Sequence, residues 1–343
     1  MTRRFGIAII GTGMAVMPHV RALNDLSDRI AVTGVYTRTP ERRAAFAAEH
    51  GLPVADSLDA IAADPATDAV LILTPPNQRL DLVRRFADAG KHILMEKPVE
   101  RTLKAAEEIV DLCEAAGIHL GIVFQHRFRA ASVRLKAMMD AGALGPIGTV
   151  RTDIPWWRPQ SYYDEPGRGT YERDGGGVLI SQAIHTLDLM LSLTGPVAEV
   201  QAVAATTRFH TMESEDFVAG GLRFANGVPG AVMATTAAYP GDPESIRIDG
   251  DKGSALLKSG TLTVRWRDGR TETHGEEASG TGGGADPMAF PHDWHRSQIA
   301  AFVDAVSAGN APSPNGREAL HVHRLIEALI TSSAEKRAVT IDP

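Results

Sequence analysis

The sequence predicts an α/β fold in which an N-terminal doubly wound parallel sheet is followed by an α+β domain with a large, mostly antiparallel open sheet. Over the first 125 residues, short apolar runs alternate with amphipathic helical segments, and beyond them strand-like segments follow one another directly. The chain has 343 residues, more than one ordinary hydrophobic core accommodates. We therefore expect two domains, residues 1–125 and residues 126–343.

Five apolar runs in the first half are too short for free-standing helices and are typical of buried parallel strands. They cover residues 5–10, 30–36, 69–73, 92–95 and 119–124. Helical patterns between them include residues 79–89 and 103–116, an alternation that gives right-handed crossovers. Cys113, the one cysteine of the chain, has apolar neighbours in the second pattern, and we expect a packed thiol there.

Strand-like segments with few helices between them indicate the antiparallel sheet of the second half. They cover residues 147–154, 197–207, 216–224, 228–238, 245–249 and 261–266. The glycine-rich stretch at 275–287 predicts a mobile surface loop, and residues 294–309 and 315–333 predict two final helices.

The composition narrows the class of partner. A net charge of −7 does not favour binding to nucleic acid or to an anionic membrane. No apolar stretch approaches the roughly 18 residues that a membrane-spanning helix needs. The N-terminal residues enter a strand rather than a signal-peptide core, and no disulfide can form within the chain. We expect a cytoplasmic protein whose partner is a small molecule.

Two glycines directly after the first apolar run indicate a strand that delivers a tight turn into a helix. In such a turn, backbone N–H groups can approach a pyrophosphate because no side chain intervenes. The glycine pair alone is a weak signal, and Val16 at the third position of the dinucleotide fingerprint puts close helix–strand packing in doubt. The residues predicted to bind a dinucleotide here are Gly11, Thr12, Gly13, Met14 and Ala15.

The end of the second strand bears on the choice of cofactor. NAD sites usually carry an acidic residue there for the ribose 2′-hydroxyl, and a carboxylate would repel a 2′-phosphate. Here Thr37 offers a neutral hydroxyl and Arg38 a planar cation, a pair that favours a 2′-phosphate. We predict NADP(H) as the cofactor, with NAD(H) as the alternative if Arg38 is only a solvated loop residue.

Thr74, Pro75 and Asn77 follow the strand at 69–73, at the carboxyl end where ligands of such sheets bind. We predict that these three residues contact the cofactor, and Asn77 also suits the cap of the following helix. Arg79 stands in that helix, where it either reaches an anionic substrate or cofactor or faces solvent.

Glu96, Lys97 and Pro98 follow the strand at 92–95, so the sheet edge that carries the nucleotide turn also carries a lysine. An ammonium there can hold a substrate hydroxyl and stabilise the alkoxide that forms as hydride leaves. The proline suits a cis or sharply turned bond, and we expect Glu96 to pair with the cofactor or the lysine. The competing interpretation is a solvated surface lysine.

Four motifs occur in order along the chain. They are Ile9-Ile10-Gly11-Thr12-Gly13, Thr74-Pro75-Pro76, the run from Ala89 to Pro98, and Gly175-Gly176-Gly177 followed by His185 and Asp188. Together they resemble the Gfo/Idh/MocA family of glucose–fructose oxidoreductase, inositol dehydrogenase and rhizopine catabolism proteins, over nearly the whole chain. The resemblance implies a Rossmann domain, a second domain with a large open sheet, NAD(P)-dependent chemistry on sugars and polyols without a metal, and a homodimer or homotetramer.

By that resemblance, Lys97 matches the family's catalytic lysine and His185 its catalytic histidine. Four residues before the histidine the family often has aspartate or asparagine, and this chain has Ser181. On a helix, Ser181, His185 and Asp188 lie on one face, where a serine binds a substrate hydroxyl but does not hold a lysine charged. Proton transfer then falls on His185, since imidazoles titrate near neutrality, unless it is a satisfied core histidine.

Five of the nine Trp and Tyr residues fall between residues 156 and 171, interleaved with polar residues. Flat rings pack on the C–H faces of a pyranose while polar groups bind its hydroxyls, although a core cluster or a subunit interface would give the same composition. The predicted substrate-binding residues are Arg127, Trp157, Arg158, Tyr162, Tyr163, Ser181 and His185.

The sequence thus predicts an NAD(P)-dependent dehydrogenase or reductase that moves hydride between nicotinamide C4 and a secondary alcohol or hemiacetal of a sugar, polyol or sugar derivative. Three alternatives remain: a glycoside-cleaving enzyme with transient redox, a dehydrogenase of a dihydrodiol or aromatic hemiacetal, and a non-catalytic nucleotide sensor. We expect no metal, because His321 and His323 point to different sides of a helix and the other histidines form no ligand set.

Overall fold

The computed structural model describes residues 3–275 and 291–342, and these divide into two units. The first unit comprises Met1–Glu100, Lys104–Val123 and His292–Ala319, and the second comprises Arg101–Leu103, Phe124–Pro291 and Leu320–Pro343. The predicted glycine-rich loop lies outside the described residues except for Gly275. The division predicted between residues 125 and 126 stays a prediction.

Strands and helices are numbered in chain order. The strands are β1 (Phe5–Ile10), β2 (Ile30–Tyr36), β3 (Ala69–Ile72), β4 (His92–Glu96), β5 (Leu120–Val123), β6 (Ile147–Pro155), β7 (Val197–Ala205), β8 (Phe217–Phe224), β9 (Pro229–Thr235), β10 (Ser245–Gly250), β11 (Gly253–Lys258), β12 (Thr261–Trp266), β13 (Thr271–His274) and β14 (Val339–Thr340). The α-helices are α1 (Val16–Asp25), α2 (Pro40–His50), α3 (Leu58–Ala63), α4 (Arg79–Asp88), α5 (Leu103–Ala115), α6 (Ala130–Asp140), α7 (Gln160–Tyr163), α8 (Ile184–Thr194), α9 (Asp293–Ser307) and α10 (Gly316–Glu335).

The sheet of the first unit is parallel, with the strand order β2-β1-β3-β4-β5. Its strands are largely apolar and most of their side chains are buried, as a sheet covered on both faces requires, although four residues of β2 are half-buried. Since all five strands run the same way, their carboxyl ends lie along one edge, where ligands of such sheets bind. The predicted doubly wound sheet is confirmed.

The core of the first unit draws on both ends of the chain. Ile299, Phe302 and Val303 of α9 belong to the same buried apolar cluster as residues of β1 and α1. The contact is close, because a Cβ added at Gly121 of β5 would lie 2.8 Å from the Phe302 ring. Cys113 of α5 is buried as predicted, and burial raises the pKa of its thiol to about 12.

The sheet of the second unit has the strand order β13-β12-β11-β10-β6-β9-β8-β7-β14. Only the β6–β9 pair is parallel, so the predicted large, mostly antiparallel sheet is confirmed. Helix α8 is buried along nearly its whole length, its polar residues His185 and Asp188 included. Among the described residues, no helix combines the length and the apolar character that crossing a membrane requires.

Candidate active site

The turn between β1 and α1 leaves room at the backbone. Gly11 has a φ of +100°, which favours glycine, and its N–H donates to the carbonyl oxygen of Tyr36 at 2.8 Å. A Cβ added at Gly13 would find no heavy atom within 4 Å, so the space beside this glycine is open. Helix α1 begins at Val16, and its N-cap residue Ala15 makes no side-chain hydrogen bond.

Two buried hydroxyls beside this turn fit a bound dinucleotide. Within residues 3–275 and 291–342, Oγ1 of Thr12 and Oγ1 of Thr74 are buried without a hydrogen-bond partner. Buried polar atoms in folded proteins are usually paired, so both are suited to a ligand's polar atoms. Val16 is buried in the apolar core, and the missing third glycine therefore does not prevent the helix from packing on the sheet.

The residues after β2 include three arginines in different settings. Arg38 is exposed and Thr37 is half-buried, while Arg42 donates from Nη2 to the carbonyl oxygen of Thr12 at 2.6 Å. The guanidinium of Arg43 lies 5.0 Å from the centre of the Tyr36 ring. No carboxylate of β2 or of the three residues after it stands at this strand end.

The segment after β3 differs from prediction at two positions. Asn77 is exposed and does not cap α4, whose N-cap is Gln78 without a side-chain bond. Arg79 does not face solvent: it is 2% exposed and donates to the carbonyl oxygens of Thr74, Glu96 and Pro98. Burial lowers the pKa of Arg79 to about 10, against the opposing charges of Glu96 and Glu100, so the guanidinium is charged at neutral pH.

The carboxylate of Glu96 is held on both oxygens within the first unit. Oε1 lies 2.8 Å from Nε2 of His19, and Oε2 accepts the backbone N–H of Lys97 at 3.2 Å. Burial raises the pKa of Glu96, but the hydrogen bond to His19 and the electrostatic interactions with His19, His295 and Lys97 outweigh it and lower the pKa overall. Glu96 therefore carries a negative charge beside the half-buried Lys97, whose bond to Pro98 is cis.

His19, Glu96 and His295 form the one group of possible metal ligands found in the part of the chain that the structure describes. Their candidate ligand atoms lie within 4.8 Å of one another, and the two imidazole rings meet edge to face at 4.7 Å. The 2.8 Å between His19 and Glu96 is a hydrogen-bond distance, shorter than two ligands keep across a zinc ion with bonds of about 2.0 Å. The geometry fits a hydrogen-bonded cluster.

In the second unit, the glycine triplet is anchored by a distant carboxylate. Glu215 accepts the backbone N–H groups of Gly177 and Leu179, each at 3.1 Å, and its own carbonyl oxygen would lie 1.8 Å from a Cβ at Gly177. Only glycine fits at that position. The following turn, Leu179–Ala183, is π-helical and leads directly into α8.

His185 lies in the first turn of α8 and is 8% exposed. Its ring stacks on that of His126 at 4.9 Å and meets the Phe124 ring edge to face at 6.0 Å. Nη2 of Arg129 is 2.6 Å from Nε2 of His126, and since guanidinium only donates, this nitrogen of His126 accepts. Glu244 binds Arg129 at 2.5 Å. Arg129 and Glu244 together therefore fix the His126 ring, which packs against His185.

Arg127 and Ser181, both predicted to bind substrate, lie in different local environments. Nε and Nη2 of Arg127 bind the two carboxylate oxygens of buried Asp188 at 2.7 and 2.6 Å, a bidentate pair. Ser181 is half-buried in the π-helical turn. The α-helical spacing that placed Ser181 on the face of His185 and Asp188 therefore does not hold throughout this segment.

The predicted substrate-binding residues between 157 and 163 differ in how far they are buried. Arg158 is buried, and Tyr163 is buried with its hydroxyl 2.6 Å from Oγ1 of Thr236, as in a packed core. Trp157 and Tyr162 are half-buried. Nη1 of Arg168 donates a hydrogen bond to the hydroxyl of Tyr162 at 2.8 Å, and this bond helps to fix the Tyr162 ring.

Two family models match this chain. Residues 5–124 match the model described as an oxidoreductase family with an NAD-binding Rossmann fold, and residues 132–256 match the GFO/IDH/MocA C-terminal domain. Together these segments span well over half of the chain. The chain belongs to the Gfo/Idh/MocA family.

Several relatives of this Gfo/Idh/MocA protein match along almost its entire length. It is 26% identical to inositol 2-dehydrogenase of Rhizobium meliloti, over 99% of this chain and 100% of that protein. It is 27% identical to D-xylose 1-dehydrogenase (NADP(+)) 2 of Haloferax volcanii, over 98% of this chain and 99% of that protein. The crystal structure of the WlbA dehydrogenase of Bordetella pertussis with NADH and UDP-GlcNAcA is similar at a TM-score of 0.84 and 28% identity, over 99% of this chain and 100% of that one.

The matches confirm the predicted family, the NAD-binding Rossmann domain and an enzyme of the NAD(P)-dependent dehydrogenase class. Choice of nucleotide, substrate and the roles of single residues stay predictions. Sequence reasoning missed His19, whose signal was a histidine on the apolar face of α1. It also missed Glu215 and Glu244, which carry no local signal because their partners lie far along the chain.

Proposed function

We propose that this Gfo/Idh/MocA protein transfers hydride between nicotinamide C4 of NADP(H) and a secondary alcohol or hemiacetal carbon of a sugar, polyol or sugar derivative. One observation carries the proposal: the nucleotide turn, Thr74 and Lys97 follow three adjacent parallel strands, β1, β3 and β4, at the same sheet edge. A lysine delivered to that edge is near the reactive end of a ligand bound there. The bound nicotinamide supplies the hydride acceptor or donor.

Three residues of the chain have proposed roles in the reaction. Lys97 holds the substrate oxygen and stabilises negative charge on it, because an ammonium strengthens its interaction as an alkoxide develops. His185 exchanges the hydroxyl proton, and its stacking on His126 limits how its ring can turn. Glu96 accepts the backbone N–H of Lys97 and so helps to hold the lysine in place.

The substrate class rests on the second unit and on the relatives. Trp157 and Tyr162 offer partly exposed rings among polar neighbours, as sugar-binding walls do. The relatives named above act on inositol or D-xylose or bind UDP-GlcNAcA, all rich in hydroxyl groups. The proposed partner is therefore a small sugar-like molecule, and self-association and a cytoplasmic location stay predictions.

The cofactor proposal is NADP(H), with NAD(H) as the alternative. It is supported by exposed Arg38 beside Thr37 and by the lack of a carboxylate at the end of β2. The relatives include both an NADP(+) enzyme and an NADH complex, so they favour neither nucleotide.

The test is a panel of sugars and polyols with both nucleotides, read by nicotinamide absorbance, followed by two variants. We expect Lys97→Ala and His185→Ala each to lower kcat by about 100-fold or more while nucleotide affinity is nearly kept, because each removes a proton-handling or charge-stabilising group. Lys104→Ala, an exposed lysine of α5, serves as the control.

Normal turnover in both variants would refute the assignment. Consumption of a glycoside without net change in nicotinamide absorbance would indicate transient redox instead. Nucleotide binding without turnover of any panel member would favour a sensor.

A further inference from the structure

Arg79 is a charged side chain buried among backbone carbonyls at the ends of two neighbouring strands. Its Nε and Nη2 atoms donate to the carbonyl oxygen of Thr74 after β3, at 3.0 and 2.8 Å. Its Nη1 atom donates to the carbonyl oxygens of Glu96 and Pro98, at the end of β4. One planar guanidinium thus links both segments.

The two carbonyls on the β4 side bracket Lys97. One belongs to the residue before the lysine and the other to the residue after it. The N–H of Lys97 is held as well, by Oε2 of Glu96 at 3.2 Å. Three backbone groups around Lys97 are therefore held by hydrogen bonds. The position of the Lys97 Cα in turn limits where the ammonium at the end of its flexible four-carbon side chain can lie.

The charge balance supports a specific role for the guanidinium. Burying a cation is costly unless acidic groups and acceptors compensate it, and an apolar side chain would fill the same volume without that cost. Here Glu96 and Glu100 supply the opposing charge and three carbonyls accept the N–H groups. What the guanidinium adds over an apolar residue is a fixed fork of donors that sets the spacing of β3 and β4 ends.

We propose that Arg79 is a positioning residue for Lys97, which it holds by binding the carbonyl oxygens on both sides of the lysine. The proposal rests on the proposed function, because it takes Lys97 as the group that acts on the substrate oxygen. Arg79 itself touches neither cofactor nor substrate in this scheme.

The experiment compares the full-length wild-type protein with Arg79→Lys, which keeps a cation but loses the fork, and Arg79→Gln. Arg84→Gln on the same helix is the matched control, because that side chain is 51% exposed. Two properties are measured: amide hydrogen exchange of the peptide spanning residues 92–104, and steady-state kinetics with the best substrate of the panel and the oxidised or reduced nucleotide that its turnover requires. The rate at which acetic anhydride modifies Lys97 gives a third reading that needs no substrate.

We expect faster exchange at Lys97 and Val99 and an altered acetylation rate of Lys97 in both Arg79 variants. We also expect kcat to fall about 10- to 100-fold, with KM and the NADPH Kd changed less than about threefold, because misplacement of a reacting group costs rate rather than binding. A general structural role would instead raise exchange across the whole first unit and weaken nucleotide binding together with kcat.

Unchanged exchange, acetylation and kcat in Arg79→Lys would overturn the proposal, as would equal effects in Arg84→Gln. If Arg79→Gln does not fold, Arg79→Lys carries the test alone. If wild-type protein turns over no panel member, the proposed function fails while exchange and acetylation still decide whether Arg79 positions Lys97.

Discussion

The guanidinium of Arg38 stands exposed at the end of β2, where two neighbouring arginines are already engaged by the protein. Arg42 is bonded to the backbone of Thr12 and Arg43 lies against the ring of Tyr36. At the scale of single residues, Arg38 is thus the residue that we propose binds the ribose 2′-phosphate of NADP(H).

Replacing Arg38 with alanine tests this assignment. We expect the Kd for NADPH to rise about 10-fold or more, since a charge-assisted hydrogen bond contributes about 1.5–3 kcal/mol, while the Kd for NADH changes little. Nucleotide fluorescence titration measures both constants. Arg267→Ala, an exposed arginine of the second unit, should change neither, and equal losses for both nucleotides would show that Arg38 does not read the phosphate.

The sequence predicted the position of residues that directly follow strands, but it did not predict which polar side chains are buried. Lys97 and Thr74 come directly after apolar runs, so the sequence placed them at one sheet edge. The burial of Arg79 and of Tyr163 depends on partners elsewhere in the chain, the carbonyls after β4 and Thr236. A helical arginine and a tyrosine among polar residues carry no local sign of such partners.

The entry to α8 shows how one element depends on another far along the chain. Glu215, just before β8, holds the N–H groups of the turn that leads into the helix, and its backbone leaves no space for a side chain at Gly177. Burial raises the pKa of Glu215, opposed by these same backbone bonds. The π-helical turn that precedes α8 was not recognisable from the local sequence, because Glu215, which binds the N–H of Gly177, lies 38 residues further along the chain.

Adding a methyl group at Gly177 should therefore disturb the turn before His185. A Cβ would lie 1.8 Å from the carbonyl oxygen of Glu215, and we expect Gly177→Ala to lower the free energy of unfolding by about 1–3 kcal/mol, as overpacking does. Urea denaturation measures the change. Gly148→Ala is the control, because its Cβ would meet its nearest neighbour at 3.7 Å, and equal stability of both variants would contradict the packing argument.

At the scale of the whole molecule, most strands were predictable and some were not. The five strands of the first sheet and six strands of the second correspond to the predicted segments. Strands β11, β13 and β14 were missed; β13 and β14 have only four and two residues, whereas β11, with six residues, is as long as its predicted neighbours β10 and β12. Their presence makes the second sheet larger than the segments predicted.

Global stability also has a predictable acid dependence through His295 of α9. Burial lowers the pKa of His295 to about 3, with His19 adding to the effect and Glu96 opposing it. The unfolded chain binds a proton at this residue near its ordinary pKa of 6.5, whereas the folded protein does not until a much lower pH. Proton binding therefore favours the unfolded state between these values, and stability falls as pH falls through this window.

We expect His295→Gln to flatten this dependence. Between about pH 4 and pH 6, the slope of the unfolding free energy should decrease by up to about 1.4 kcal/mol per pH unit, the contribution of one proton. Urea denaturation at several pH values gives the slope. His274→Gln on β13 is the control, and a wild-type slope in His295→Gln would show that this imidazole is not the group responsible.

The apolar side chains that α9 contributes beside β1 and α1 also impose an order of events during synthesis. The strands of the parallel sheet leave the ribosome first, yet Phe302 and its neighbours follow only after strands β6 to β13 of the second sheet have been translated. Until then the nascent first unit exposes the surface that they will cover. The ribosome-bound chain thus presents a vacant hydrophobic surface suited to chaperones for more than half of its translation.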